Sequence, residues 1–141
     1  MSGGGYLMID GVVVPASQGV AVQPDLTSLI RAEFERRIGI GLPVDGCQGA
    51  VQMDLASRQE LTSAVVMAGV GAWPEGGFWR MSDNTNLPLT AAQVIALGKA
   101  AAGYYQALFA TRSALLDAAR AGAAVDPLAG WPEPARFDPA H

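Results

Sequence analysis

The feature that most constrains the fold is one long amphipathic helix predicted over residues 91–121. Thr90 and Gln93 have the spacing of a capping box, in which two side chains satisfy the exposed backbone groups at a helix N-terminus. At ~1.5 Å per residue the helix is roughly 45 Å long, more than a domain of this size can cover. We therefore expect its distal end to pack on something else. Its apolar residues at helical spacing are Val94, Leu97, Ala101, Tyr104, Tyr105, Leu108, Leu115 and Ala119.

Two shorter helices are predicted upstream of the long one. Asp25 is a good helix-capping residue and precedes a helical pattern over about residues 26–38. Ser57 and Glu60 repeat the capping-box spacing, and the helix behind them is expected to run to about Val70. Small residues in its apolar stripe allow close approach to a neighbouring helix. The stripe consists of Leu61, Ala64, Val65 and Ala68.

Two Asp-Gly pairs predict hairpins, because this pair favours a type I′ turn between two strands. The pair at 10–11 separates two β-forming segments near the N-terminus. The pair at 45–46 predicts a second hairpin, in which Leu42 faces Gly49 and Ile40 faces Val51. That register places the apolar residues on one face, which a slip of one residue would destroy. The apolar face consists of Ile40, Leu42, Val44, Cys47, Val51 and Met53.

A strand with a tryptophan precedes the long helix. Residues 78–81 are predicted to form this short strand, with Trp79 at the centre of the core. Residues 82–86 are predicted to form a turn, because their side chains bond their own backbone readily. Residues 87–89 are the candidate return strand.

The predicted elements add up to an α+β fold. Three helices are expected to pack on one small antiparallel sheet, built from the central hairpin and the Trp79 strand. We predict an N-terminal hairpin and linker at 1–24, a helix–hairpin–helix–strand–helix domain at 25–121 and a Pro-rich extended C-terminal arm at 122–141. The 141 residues suffice for one core, and neither extension can form one of its own. Both extensions are therefore expected to contact the body or another chain.

The charge of the chain argues against nucleic acid as a partner. The net charge is −4, and the nine basic residues form no cluster larger than Arg36–Arg37, whereas nucleic-acid binding needs a concentrated positive field. Charged residues make up only 16% of the chain, which indicates a surface partly covered by a partner or simply an Ala/Gly-rich composition. No segment reaches the ~18 apolar residues of a membrane span. The N-terminal segment lacks the features of a signal peptide, which predicts folding in a cytoplasm.

Candidate catalytic groups are few. Cys47 is the single cysteine and falls on the apolar face of the hairpin, and His141 is the single histidine and the last residue. Neither a Cys/His centre nor a zinc site is therefore expected. Asp83 lies in a turn with no second carboxylate, too few for a calcium loop. We predict that the protein is not an enzyme and has no metal, no nucleotide cofactor and no catalytic residues.

Aromatic residues are the predicted interface positions. Trp73 and Trp131 are each followed by proline and suit an interface, where a few aromatic side chains concentrate the binding energy. Tyr104 and Tyr105 lie on the helix that exceeds the domain. Phe137 is an apolar anchor of the C-terminal arm.

The order of the pieces from the first helix to the last is distinctive. A helix ending in a basic residue is followed by a hairpin, a polar segment that opens a second helix, a tryptophan strand, a polar turn and a long helix opening with Leu-Thr-Ala. This order resembles a domain-of-unknown-function family found in tail and tail-fibre proteins of tailed bacteriophages. The resemblance covers roughly residues 26–121 and brings no catalytic residues. The matching pieces are Arg37–Ile38, the hairpin through Gln52–Asp54, Ser57-Arg58, Trp79, Asp83–Asn84, and Leu89–Gln93 with Leu97.

The resemblance implies a small structural module of a phage tail, tail tip or tail fibre. Such a module would be made in the bacterial host cytoplasm and occur in the virion in several copies, in contact with other phage tail proteins. In many relatives the domain is one part of a longer protein, whereas here it is nearly the whole chain. A tail-fibre assembly chaperone or adaptor that is absent from the finished particle therefore stays open. A small-molecule-binding bacterial domain is the third hypothesis.

Overall fold

The structure is a computed structural model that describes residues 25–140, so the predicted N-terminal hairpin and His141 lie outside the described residues. Within residues 25–140 the α+β fold is confirmed, with three helices and two small antiparallel sheets. The elements in chain order are α1 (Leu26–Ile40), β1 (Leu42–Pro43), β2 (Ala50–Val51), α2 (Leu55–Gly69), β3 (Phe78–Arg80), β4 (Asn86–Pro88) and α3 (Ala91–Arg120).

Two of the predicted helix caps are confirmed. The carboxylate of Asp25 accepts a hydrogen bond from the Ser28 backbone N–H at 2.9 Å, which satisfies one exposed donor at the start of α1. At the start of α3 the Gln93 N–H donates to Thr90 Oγ1 at 3.2 Å, and the Thr90 N–H donates to Gln93 Oε1 at 2.7 Å. This reciprocal pair is the predicted capping box.

The start of α2 differs from its prediction. The N-cap is Asp54, so the helix begins at Leu55 and the predicted capping box of Ser57 and Glu60 is wrong. Ser57 lies inside the first turn, where its hydroxyl donates to Asp54 Oδ1 at 2.5 Å. The Ser57 hydroxyl bonds the side chain of the N-cap residue and does not cap a backbone N–H. A serine at this position therefore does not mark the start of the helix.

Helix α1 continues to Ile40 rather than ending at about residue 38. Gly41 is the C-cap, with φ +81° and its N–H donating to the Ile38 carbonyl at 3.2 Å. A Cβ at this position would also clash with the carbonyl oxygen of Val51. Ile40 therefore belongs to the helix and is 52% exposed, and its predicted place on the buried face of the hairpin is wrong.

The first sheet has a register two residues away from the predicted one. Leu42 lies opposite Val51 and Pro43 lies opposite Ala50, whereas Leu42 was expected opposite Gly49. Because side chains alternate with a period of two, this shift leaves the paired residues on their predicted faces. The buried residues of the hairpin are Leu42, Val44, Val51 and Met53.

The C-terminal arm explains where the ladder of the hairpin stops. Gly46 has φ +81° but Asp45 does not have a positive φ, so the turn is not the type I′ turn that continues a ladder. Val44 instead pairs in parallel with Phe137 of the arm. The Phe137 N–H donates to the Pro43 carbonyl at 3.0 Å, and the Asp45 N–H donates to the Phe137 carbonyl at 2.8 Å. The arm thus occupies the ladder position nearest the turn.

The strand of Trp79 belongs to a second sheet rather than to the sheet of the hairpin. β3 pairs antiparallel with β4, with Trp79 opposite Leu87. The two hairpins are joined by hydrogen bonds between residues 50 and 82, where the Ser82 N–H donates to the Ala50 carbonyl at 2.9 Å and the Ala50 N–H donates to Ser82 Oγ at 2.9 Å. The single sheet predicted from the sequence is therefore two sheets joined by a short polar contact.

Trp79 is not the centre of the core. It is half-buried, whereas Met81, which follows the last residue of β3, is 1% exposed. β3 packs mainly on β4, so one side of the indole faces a shallow groove that Gln52 and Glu60 also line. The core lies where α1 and α2 pack on α3, and its fully buried side chains are Ile30, Leu42, Val44, Val51, Met53, Met81, Val94, Leu97 and Leu108.

Candidate docking surface

An apolar groove runs between α2 and α3. The two helices are antiparallel, because Arg58 near the start of α2 meets Tyr105 and Val65 near its end meets Gly98. The groove has a volume of about 500 Å³. Its lining residues are Arg58, Leu61, Thr62, Val65, Val66, Ile95, Gly98, Lys99, Ala101, Ala102, Tyr105 and Gln106.

Small residues on α3 create the floor of this groove. A Cβ built on Gly98 would clash with Val65 Cγ2, so α2 can lie this close to α3 only opposite a glycine. On the other side, α2 exposes its own apolar residues. Val66 lines the groove and is 61% exposed, and Val70, the C-cap of α2, is 74% exposed. Over the part of the chain that the structure describes, this end of α2 thus presents an apolar strip to solvent.

Beside the groove, three aromatic rings in contact with one another lie between two arginines. The Arg58 guanidinium carbon lies 3.9 Å from the centroid of the Tyr105 ring. The Tyr105 ring meets Phe34 edge-on at 6.1 Å and stacks on Phe109 at 6.4 Å. The Arg112 guanidinium carbon lies 4.2 Å from the Phe34 centroid and 4.8 Å from that of Phe109. We call these five residues the aromatic–cation row. Such contacts fix the orientation of long side chains that would otherwise sample many rotamers.

The groove and the row are positively charged on an acidic protein. They contain Arg58, Lys99 and Arg112, and the groove lining within residues 25–140 includes no carboxylate. None of the ion pairs within residues 25–140 involves any of these three cations. The net charge of the whole chain is −4. A local positive field therefore borders an apolar strip, a combination that favours an acidic partner.

Glu33 is the one buried carboxylate among the described residues, and it organises α1. Arg36 donates to it through Nε at 2.9 Å and Nη2 at 2.7 Å, and Arg37 donates through Nε at 2.7 Å. The hydrogen bonds from Arg36, with smaller contributions from Arg37, lower the pKa of Glu33 to about 2 although burial opposes this. Its side chain is only 7% exposed. A carboxylate held ionised by two arginines is a structural group rather than a proton donor.

The same ion-pair cluster reaches the C-terminal arm. Arg37 Nη1 donates to the carbonyl of Pro132 at 3.2 Å, and its guanidinium lies 5.6 Å from the Trp131 ring centroid. Further along the arm, Arg136 Nε pairs with Asp45 Oδ1 at 2.5 Å. The arm is thus attached to α1 and to the hairpin.

The chain matches the family described as Domain of unknown function (DUF4376) over residues 21–130, which includes all three helices and both sheets. The chain belongs to this family. No curated protein and no solved structure matches it. The family description states no activity, so the DUF4376 domain has to be interpreted from its own surface.

The structure places the five predicted interface residues in different environments. Tyr105 is half-buried and belongs to the aromatic–cation row, whereas Tyr104 is buried in the core. Trp73 is half-buried, and its indole N–H donates to the Leu89 carbonyl at 2.9 Å. Trp131 and Phe137 are buried within the chain itself. Their role at an interface with another chain stays a prediction.

The C-terminal arm contacts the body, as predicted, over its described residues 122–140. The burial of Trp131 and Phe137 and the contacts of Arg37 and Arg136 establish this. The matching prediction for residues 1–24 lies outside the described residues.

The groove was not predicted from the sequence, because each residue of the groove and of the adjoining aromatic–cation row is a weak signal when it is considered alone. Lys99 and Arg112 read as isolated cations, and Val66 reads as one more apolar helix residue. The useful signal was Gly98 within a strong helix, because a helix-destabilising glycine there needs a packing reason.

Residues 25–140 form neither a metal site nor a membrane-spanning helix. No group of three or more His, Cys, Asp or Glu side chains is placed to hold a metal ion within these residues. Cys47 is half-buried beside the hairpin turn. No helix in this part of the chain is long and apolar enough to cross a membrane.

Proposed function

We propose that this DUF4376 protein is a non-enzymatic structural component of a tailed-bacteriophage virion, in the tail, tail tip or tail fibre, where it docks on neighbouring subunits. The observation that carries the docking function is the apolar α2–α3 groove, beside which Arg58, Lys99 and Arg112 form no ion pair with the residues that the structure describes. Apolar strips on a soluble surface are typical of interaction sites. The assignment to a phage tail is supported by the resemblance carried by Trp79, the polar turn and the Leu89–Gln93 helix start.

The length of α3 supports the same proposal. The helix has 30 residues, roughly 45 Å at ~1.5 Å per residue. Among residues 109–120 at its distal end, Leu116 is the one buried residue. Phe109 at the start of this end is exposed and belongs to the aromatic–cation row. Leu115 and Ala119 of this end pack half-buried against the core, and the exposed residues, Phe109 among them, suit contact with a second protein.

A tail-fibre assembly chaperone or adaptor is the alternative, and it would use the same surface. The two functions differ in whether the protein stays in the particle. Quantitative mass spectrometry of purified phage particles tests this directly. We expect the chain at a fixed number of copies per particle. Its presence in infected cells together with its absence from particles would contradict the structural role and favour the chaperone.

A small-molecule-binding domain is the third candidate, and one observation favours it. The groove volume of about 500 Å³ falls within the range of small-ligand sites, about 300–1,000 Å³. A thermal-shift screen of the full chain against apolar and anionic small molecules tests this candidate. A ligand that raises Tm in the wild type but not in Ala102→Trp, which fills the groove, would support it.

A further inference from the structure

We infer that the α2–α3 groove binds an amphipathic helix of another protein whose apolar stripe is flanked by carboxylates. The inference rests on the proposed docking function and gives the chemistry of the partner. It follows from the shape of the groove and from the placement of its cations.

The dimensions of the groove fit a short helical segment. Its lining spans residues 58–66 of α2 and residues 95–106 of α3. At ~1.5 Å per residue the α3 side is about 16 Å long, or three helical turns. A helix that lies in such a groove places side chains i, i+3 or i+4 and i+7 into it. The space over Gly98 is taken up by Val65, whereas the exposed small side chain of Ala102 leaves room for those side chains.

The placement of the cations specifies charges on the partner. Arg58 lies at the level of Tyr105 on α3, six residues from Lys99, which corresponds to about 9 Å along the helix. Carboxylates about two turns apart on a bound helix match this separation. Arg58 is already held in place, because its Nε donates to the Met53 carbonyl at 2.9 Å while its guanidinium covers the Tyr105 ring. A cation fixed in this way loses little rotamer entropy when a carboxylate binds.

A second copy of the chain fits the same groove poorly. A symmetric contact places the same surface of both copies face to face. Arg58 and Lys99 of one copy would then face the same cations of the other, and like charges at close range repel. The groove therefore favours an acidic segment of another protein over a second copy of this chain.

The test uses the full chain and two synthetic amphipathic helical peptides with the same leucine stripe. One peptide carries glutamates beside the stripe and the other carries lysines. Binding is measured by fluorescence anisotropy at low and at high salt. We expect saturable binding of the glutamate peptide, weakened by salt, and much weaker binding of the lysine peptide.

Matched variants locate the binding site. Lys99→Glu should weaken binding of the glutamate peptide about three- to tenfold and strengthen binding of the lysine peptide. Arg31→Glu, the same charge reversal on the exposed surface of α1, should change neither. Ala102→Trp should abolish binding by filling the groove, whereas Ala110→Trp, an exposed site on the same helix outside the groove, should not. Circular dichroism and Tm identify any variant that misfolds. If Ala102→Trp misfolds, the location of the binding site is decided by Lys99→Glu, which changes only the surface.

Several outcomes would overturn the inference. These are equal binding of both peptides, no saturable binding at millimolar peptide, and full binding by Ala102→Trp. Concentration-dependent self-association that Ala102→Trp abolishes would make a second copy the occupant. Binding that appears only after residues 1–24 are deleted would make that segment the occupant. If the peptides do not bind but the protein is present in particles, the inference about the groove is rejected and the virion role stands. If the glutamate peptide binds but the protein is absent from particles, the virion role is rejected and the inference about the groove stands.

Discussion

The ion-pair cluster at Glu33 should make the stability of this protein depend on pH in a defined window. Glu33→Gln keeps the shape of the side chain and removes its charge, so Arg36 and Arg37 lose their shared partner. Arg37 in turn contacts the C-terminal arm at Pro132. The substitution therefore tests both the cluster and the attachment of the arm.

The magnitude follows from the pKa of Glu33, which is lowered from its ordinary 4.5 to about 2. If the whole of this pKa difference between the unfolded and the native state contributes to stability, it corresponds to about 3 kcal/mol of unfolding free energy. Because the Arg36 side chain is 57% exposed, solvent screening reduces this to about 2 kcal/mol. A lowered pKa means that the native state binds fewer protons than the unfolded state. The contribution is therefore complete above pH 4.5 and is lost as the pH falls towards 2.

The assay is urea unfolding of the wild type and Glu33→Gln at several pH values, followed by tryptophan fluorescence. We expect the variant to be about 2 kcal/mol less stable at pH 7, with the difference shrinking below pH 4.5. Glu35→Gln on the same helix is exposed and is the control, with an expected change within about 0.5 kcal/mol. The pKa values of Asp25, Asp54 and Asp83 are also lowered by hydrogen bonds, and comparison with the variant cancels their effect. A difference that is zero at pH 7, or independent of pH, would refute the reasoning.

Three further predictions concern packing. Gly98→Ala should lower the unfolding free energy by about 1–3 kcal/mol, because the added methyl group overpacks the contact with Val65. Gly103→Ala, which has open space around it, should raise the unfolding free energy by about 0.5–1 kcal/mol. Equal effects of the two substitutions in chemical denaturation would contradict this. Met81→Ala should cost about 2–5 kcal/mol and the half-buried Trp79→Ala distinctly less, with a reversed order in Tm as the contrary result. Trp131→Ala should speed hydrogen exchange across the C-terminal arm, and unchanged exchange there would count against its anchoring role.

The sequence predicted the elements that depend on local chemistry. The caps at Asp25 and Thr90 and the 30-residue α3 could be predicted because each depends on a few neighbouring residues. The polar turn at 82–86 could also be predicted, and Asn84 there has φ +66°. The buried face of the hairpin was predicted correctly for Leu42, Val44, Val51 and Met53 even with the wrong register, because an error of two residues preserves the alternation. Ile40, which belongs to α1, was placed wrongly.

The sequence failed where distant segments decide. The hairpin register depends on Phe137, which occupies the ladder beside Val44 from more than ninety residues away. The burial of Trp79 depends on how much of the body covers β3, which no local pattern contains. The groove depends on Gly98 meeting Val65 of another helix. In each case the deciding contact joins residues far apart in the chain, and a spacing rule cannot supply it.

The central claim is that the α2–α3 groove docks on a neighbouring protein within a phage tail. The most direct measurement replaces Ala102 with a photo-reactive residue, assembles particles with this chain, and identifies the cross-links in purified particles by mass spectrometry. The account predicts cross-links from position 102 to one defined, carboxylate-flanked helical segment of another tail protein, and none to that segment from position 110. Particles that contain the chain but show no protein cross-link from position 102, or that lack the chain, would contradict it.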